Sequence, residues 1–143
     1  MRGTYRGYDI VSMPLSSSGG VVLVETLNIL EGFQLADLKQ GSPASLHLLI
    51  EAMKRAYADR ARYLGDPAFV NAPIDTLTAK DYAAKLRASI STERATPSKQ
   101  LVSAPSTPRE GTNTTHFSVV DAGGLEGVSG GDPRAGPRQL SRL

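Results

Sequence analysis

The chain has 143 residues, 40% hydrophobic and 21% charged, with 16 basic and 14 acidic side chains for a formal net charge of +2. That is enough for one domain with a real core, and the near balance of charge, without any basic run, argues against a nucleic-acid binder. Cysteine is absent and only two histidines occur, His47 and His116, far apart in sequence; this excludes a disulfide framework, a thiolate nucleophile and a Cys-based zinc site, and argues against a multi-histidine metal centre.

No apolar run approaches the roughly 20 residues of a membrane span. Arg2 and Arg6 are followed by no apolar stretch of the signal-peptide kind. Gly3-Thr4-Tyr5-Arg6-Gly7-Tyr8 reads as the middle of a structured protein rather than a natural start. Tyr8 to Met13 is rich in β-formers and stops at Pro14, which predicts a short strand near 8–13. Ser16-Ser17-Ser18-Gly19-Gly20 then forms a loop. A helix over about 20–31 follows, with Val21, Val24, Leu27 and Leu30 near helical spacing and Gly32 closing it. The β-branched Val21, Val22 and Val24 make a strand the competing assignment at its start.

The strongest pattern covers 43–64. Ser42 is placed to cap the free N–H groups, and Pro43 stands where its missing N–H costs nothing. Leu46, Leu49, Ile50, Met53, Tyr57, Ala61 and Leu64 form an apolar stripe, with Glu51, Lys54, Arg55, Asp59 and Arg62 over much of the remainder. Gly65 ends the helix and Pro67 prevents its resumption. A third helix is expected over about 79–91, with Thr78 and Asp81 as a capping-box-like pair and Tyr82, Leu86 and Ile90 on its buried face. Residues 92–113 lose all periodicity and read as a mobile linker. Thr115 to Asp121 alternates polar and apolar residues, the pattern of a half-buried strand. From about Gly124 the chain turns to Gly, Pro, Arg and little apolar surface, so 124–143 is expected to be disordered.

Three stretches carry a resemblance. They are Tyr5-Arg6-Gly7-Tyr8 through Met13-Pro14-Leu15 and the Ser-Gly loop; Ala56-Tyr57-Ala58-Asp59-Arg60 with Tyr63-Leu64-Gly65-Asp66-Pro67 and Phe69-Val70; and Asn113-Thr114-Thr115-His116-Phe117-Ser118-Val119-Val120-Asp121. In this order they resemble γ-glutamyltranspeptidase (glutathione hydrolase), over residues 5 to about 123. The resemblance implies an α+β chain that is a piece of the four-layer αββα sandwich of N-terminal-nucleophile hydrolases. It also implies a precursor that cuts itself between Asn113 and Thr114. Residues 1–113 would close the large subunit, Thr114–Gly123 would open the small one, and the two would stay together as a heterodimer. Implied substrates are glutathione and other γ-glutamyl compounds, with water, amino acids or peptides as acceptors, and no cofactor. The implied location is periplasmic or extracellular.

The chemistry suits these residues. A threonine hydroxyl is a poor nucleophile near neutral pH and needs a neighbouring base. Cleavage before Thr114 supplies one on the same residue, an α-amine that ordinarily titrates near ~7.7–8.0. Thr112 or Thr115 could instead be the first residue, though the motif favours Thr114. His116, two positions on, reads as structural. The Ser16–Gly20 loop could cradle an anion at a helix N-terminus, but more simply serves as helix entry. Asp59 and Arg60 suggest an intramolecular ion pair, and Asp66-Pro67 a helix stop.

The family carries further parts that have no counterpart here. They are a second threonine and an asparagine on the next strand, an acidic residue for the glutamate amine, a serine pair, a Gly-Gly oxyanion hole, and an arginine from earlier in the large subunit. At the corresponding distance stands Gly131-Asp132-Pro133-Arg134. The tail past about Gly124 reads as out-of-frame translation, and the chain alone is expected to be inactive. The alternative reading is a non-catalytic helical interaction module or truncated pseudoenzyme that binds through its apolar faces.

Overall fold

The computed structural model describes residues 1–15, 17–101, 117–121 and 124–128. The chain divides into two units, Met1–Ser106 and Thr107–Leu143, each described by itself.

The first unit opens with a hairpin of which the sequence pattern predicts only the second strand. Strand β1 (Arg2–Tyr5) pairs antiparallel with β2 (Tyr8–Val11), Tyr5 opposite Tyr8. Arg6 and Gly7 make the two-residue turn with φ of 50° and 85°. Positive φ at both positions is the turn whose twist matches that of paired strands, and glycine takes it without strain. Arg6 takes it because its N–H donates to Glu31 Oε1 at 2.6 Å and its guanidinium to the Phe33 carbonyl at 3.0 Å. Lys80 joins the same carboxylate at 2.5 Å and also donates to the Thr4 carbonyl at 2.7 Å.

Helix α1 (Gly19–Glu31) follows the Ser-Gly loop and buries Val21, Val24, Ile29 and Leu30. Its start comes so close to the end of β2 that a Cβ on Gly20 would stand 2.4 Å from the Met13 carbonyl oxygen. After a 3₁₀ turn at Leu35–Asp37, helix α2 runs Pro43–Tyr63 with Ser42 accepting from the Ser45 N–H at 3.3 Å and Pro43 in the first turn. Asp66 then accepts from the Ala68 N–H at 2.9 Å, the turn chemistry of a helix stop. Two shorter helices close the unit: α3 (Ile74–Leu77), unforeseen in the sequence, and α4 (Lys80–Ala88). Ile29 and Leu30 of α1, Leu48 and Ala52 of α2 and Ala83 of α4 form the core, with Phe33, Leu35, Leu38, Leu86 and Ile90 packed against it.

The packing corrects three expectations. The large apolar stripe of α2 faces outward: Leu46, Leu49, Ile50, Met53 and Tyr57 are all exposed, as is Ala61. The buried face is Leu48, Glu51, Ala52, Arg55, Ala56 and Asp59. Ala52 and Ala56, with no exposed surface, let α1 approach closely, and that close fit decided the orientation over bulk hydrophobicity. Helix α4 is shorter than expected, and Thr78 does not cap it; its hydroxyl donates back to the Ile74 carbonyl at 2.8 Å and so belongs to α3. Residues 92–101 are not a loose linker: a 3₁₀ turn spans Ser98–Gln100, and Thr96 is tied to α2. Residues 102–113 of the expected linker lie outside the described residues.

In the second unit β3 (Phe117–Asp121) pairs antiparallel with β4 (Gly124–Val128), Phe117 opposite Val128 and Asp121 opposite Gly124. The disorder expected from 124 is thus overturned for Gly124–Val128. A ladder is satisfied by backbone N–H and C=O groups, which a Gly-rich segment carries as fully as any other. The remainder of the tail, 129–143, lies outside the described residues. No described helix is long and apolar enough to cross a membrane.

The close approach at Gly20 gives a direct expectation. Gly20→Ala should destabilise the chain by about 1–3 kcal/mol in denaturant titration. Gly19→Ala, whose Cβ would meet only Ser17 Oγ at 3.5 Å, should be near neutral. Equal effects would show that the Met13 carbonyl is not the constraint.

Candidate active site

Asn113 and Thr114 lie outside the described residues, as do Thr112, Thr115 and His116. Strand β3 begins at Phe117, immediately downstream of this segment. What the described residues show is the polar interior of the first unit, which sequence reasoning missed.

Glu25 on α1, 1% exposed, sits against Asp59 on α2, 9% exposed. Tyr82 of α4 donates its hydroxyl to Asp59 Oδ2 at 2.6 Å. Oε1 of Glu25 meets no donor, and Asp59 offers it only acceptor oxygens, so contact between the two carboxyls requires a proton on one. Burial first, then the hydrogen bond and negative charge of Asp59, push the Glu25 pKa from 4.5 to about 9, which leaves that proton on Glu25. Burial and the Asp59 carboxylate also hold the Tyr82 phenol well above its ordinary range. One turn along α1, Asn28 donates to the Thr78 carbonyl at 2.8 Å and ties α1 to the end of α3. The expected Asp59–Arg60 ion pair is not formed: Asp59 faces Tyr82 and Glu25, and Arg60 Nε donates to Ser18 Oγ at 2.8 Å.

A second cluster centres on Glu51. Its Oε2 accepts from Arg55 at 2.7 Å; its Oε1 accepts from Lys54 at 2.5 Å and from the Thr96 N–H at 3.0 Å. Burial by itself would raise the Glu51 pKa, but these hydrogen bonds outweigh it and hold the group at about 2. Arg55, 2% exposed, spends its remaining donors on Ser89 Oγ and the Ser89 carbonyl, both at 2.8 Å, and on Thr96 Oγ1. A sequence signal for both clusters did exist: Glu51, Arg55 and Asp59 recur at four-residue spacing on the stripe that also holds Ala52 and Ala56.

The Ser-Gly loop meets α1 through Ser18, which makes no side-chain cap, while the Gly19 N–H reaches Ser17 Oγ at 3.4 Å; Ser16 lies outside the described residues. With Arg60 on Ser18, the described part of the loop behaves as a helix entry fastened to α2. Among the described residues no group of three acidic or histidine side chains could hold a metal ion.

A family model of gamma-glutamyltranspeptidase matches residues 1–129. The glutathione hydrolase proenzyme of Pseudomonas sp. (strain A14) is 51% identical over 120 residues, covering 84% of this chain and 21% of that protein. The glutathione hydrolase proenzyme of Escherichia coli (strain K12) is 46% identical over 122 residues, 85% of this chain and 21% of that one. In three dimensions the γ-glutamyltranspeptidase of Helicobacter pylori matches with a TM-score of 0.68 at 43% identity, over 79% of this chain and 32% of that one. A paired-strand entry, a helical interior and a Thr-Thr-His segment running into a strand are thus accounted for together: the chain belongs to the γ-glutamyltranspeptidase family. It spans about a fifth of the length of these curated relatives.

The protonated Glu25 fixes a pH dependence. The folded chain keeps this proton up to about pH 9, whereas an unfolded carboxyl releases it near 4.5. Its contribution to stability is therefore fully present below about pH 4.5, shrinks as pH rises and is gone above about 9, at up to about 1.4 kcal/mol per unit. Glu25→Gln, a neutral stand-in for the acid, should flatten the fall of the thermal midpoint between pH 6 and 9. An unchanged slope would remove Glu25 as its cause.

Proposed function

We propose that this chain is the part of a γ-glutamyltransferase and glutathione hydrolase that contains the self-cleavage point, with Thr114 as nucleophile. The observation that supports this most is the unbroken family match from residue 1 to 129, running across Asn113–Thr114 in relatives that bear the name proenzyme. Residues 1–113 are read as the end of the large subunit and Thr114 as the first residue of the small one. The two belong to a four-layer αββα sandwich completed by regions outside this chain. The periplasm or the cell exterior is the proposed location.

The proposed processing begins with Thr114 Oγ attacking the Asn113 carbonyl carbon. The C–N bond gives way to an ester, and water hydrolyses that ester to a carboxylate at Asn113 and a free α-amine at Thr114. In turnover the amine takes the hydroxyl proton as Oγ attacks the γ-glutamyl amide, then hands it to the departing amine. Proton transfer of this kind contributes about 10²–10⁴-fold. Water or an acceptor amino acid or peptide then resolves the acyl-enzyme ester. Oxyanion-hole donors are worth roughly 2.7–4 kcal/mol each, and with these and the substrate-binding groups outside its residues, the chain by itself should not turn over.

The test is a chimera in which residues 1–123 replace the matching stretch of the Pseudomonas sp. (strain A14) proenzyme. Mass spectrometry should find scission directly before Thr114, and the product should hydrolyse glutathione. Thr114→Ala should stop the cut and lower hydrolysis by roughly 10³-fold or more; a Thr114→Ala chimera that still cuts and turns over would overturn the assignment. A second reading, a non-catalytic helical interaction module, draws on the exposed apolar residues of α2. Under that reading the parent chimera stays uncut.

A further inference from the structure

We propose that the outer edge of β2 is a strand-docking edge, whose Asp9 and Val11 main-chain groups pair with an extended segment of the precursor polypeptide lying outside the residues of this chain. The proposal rests on the reading of the chain as one part of a longer protein and is independent of Thr114.

The register decides which groups are available. In a two-residue hairpin the pair next to the turn exchanges both of its hydrogen bonds, and the pairs beyond it alternate between unbonded and bonded. Tyr5 and Tyr8 close the turn, so Gly3 and Ile10 bond each other. Arg2, Thr4, Asp9 and Val11 then turn their N–H and C=O groups away from the partner strand. Two observations agree with that phase. The Ser12 N–H donates to the Met1 carbonyl at 3.1 Å, the next bonded pair along. On the β1 side, the outward Thr4 carbonyl accepts from Lys80 Nζ at 2.7 Å. On the β2 side, no described strand lies alongside, and no described loop main chain bonds Asp9 or Val11.

The two edges are thus unlike. A lysine blocks β1, one of the usual devices against edge-to-edge pairing. The β2 sequence, Tyr-Asp-Ile-Val, carries neither lysine nor proline. Gly3 faces Val24 of α1, and its partner Ile10 shares that face. Asp9 and Val11 therefore stand on the opposite face, and the one charge on β2 leaves the edge itself open. The side chains beside the edge are strongly apolar and in water. Tyr8 is 72% exposed, Val11 69% and Met13 67%; among the described large hydrophobics only Phe69 is more exposed. A two-stranded sheet with such an edge is a template for a third strand.

Length argues for the occupant. The stretch shared with the two curated relatives is 21% of each of them, and the Helicobacter pylori match covers 32% of that chain. The remaining polypeptide of such a precursor is tethered to the hairpin, which raises its effective concentration at the edge above that of a free partner. Its main chain would supply the affinity, with alternate side chains lying beside Tyr8 on one face and Val11 on the other.

Amide hydrogen exchange tests this in the 143-residue chain and in the Pseudomonas sp. (strain A14) chimera carrying Thr114→Ala, so that no cut intervenes. Ile10, bonded to Gly3, should exchange slowly in both. Asp9 and Val11 should exchange fast in the chain alone and about 100-fold more slowly in the chimera. Val11→Pro deletes the outward donor and no bond to β1. It should leave Ile10 slow in the chain alone and speed Asp9 about ten-fold in the chimera. Fast Asp9 and Val11 beside a slow Ile10 in the chimera overturns the proposal. So does a chimera in which all three are fast, since an added strand stabilises the pair it joins. Slow Asp9 and Val11 in the chain alone also overturns it; protection that grows with concentration then assigns the edge to a second copy. Asp9 protection that survives Val11→Pro is burial without pairing, and sinks the idea as well. Scission of the unsubstituted chimera reports separately on the threonine reading.

Discussion

A glutamate and an arginine one turn apart on α2, both almost wholly withdrawn from water, set the terms for the first unit. Taking two charges out of water costs several kcal/mol each unless every donor and acceptor is engaged. Glu51 and Arg55 meet that demand by reaching past each other to Lys54, Ser89 and Thr96. Ser89 and Thr96 come from two other parts of the chain, so satisfying the pair also ties the end of α4 and the segment after it to α2. The turn of α2 that carries them faces inward together with Ala52 and Ala56.

The Glu25–Asp59–Tyr82 cluster solves the related problem for groups of like sign. Two carboxyls cannot both be ionised at contact in a poorly solvated place, so one remains an acid. Tyr82 then completes Asp59 from α4. Helices α1, α2 and α4 thus meet through one proton and one phenol as well as through Ile29, Leu48 and Ala83. Specific polar joints of this kind fix which faces meet, whereas apolar contact alone tolerates rotation.

Much of the fold was legible in the residues. Ser42-Pro43 marked the start of α2, Asp66-Pro67 its stop, Gly32 the end of α1, and the alternation after Thr115 the strand β3. The face of α2 was not legible, because hydropathy ranks Leu, Ile and Met above Ala, while close helix contact needs the small residue. Tyr5-Arg6-Gly7-Tyr8 was read as a motif rather than as a turn, since an arginine at positive φ is held only by contacts from Glu31 and Phe33, distant in sequence. Strand β4 escaped because its pairing rests on the backbone and not on its glycines' absent side chains. The family was legible from three motifs. The buried carboxyl pair was not, because Glu25 and Asp59 look like any surface acids until α1 and α2 are placed side by side.

The outward Leu46, Leu49, Ile50, Met53 and Tyr57 have one more implication. Oil and salt are sorted on α2 in the reverse of the usual order, with ionic groups inside and greasy ones in water. Each of the five leaves between 39% and 54% of its surface to solvent, while the core cluster of Ile29, Leu30, Leu48, Ala52 and Ala83 includes none of them. That band is a feature of the outer face of α2 rather than of the core cluster beneath it.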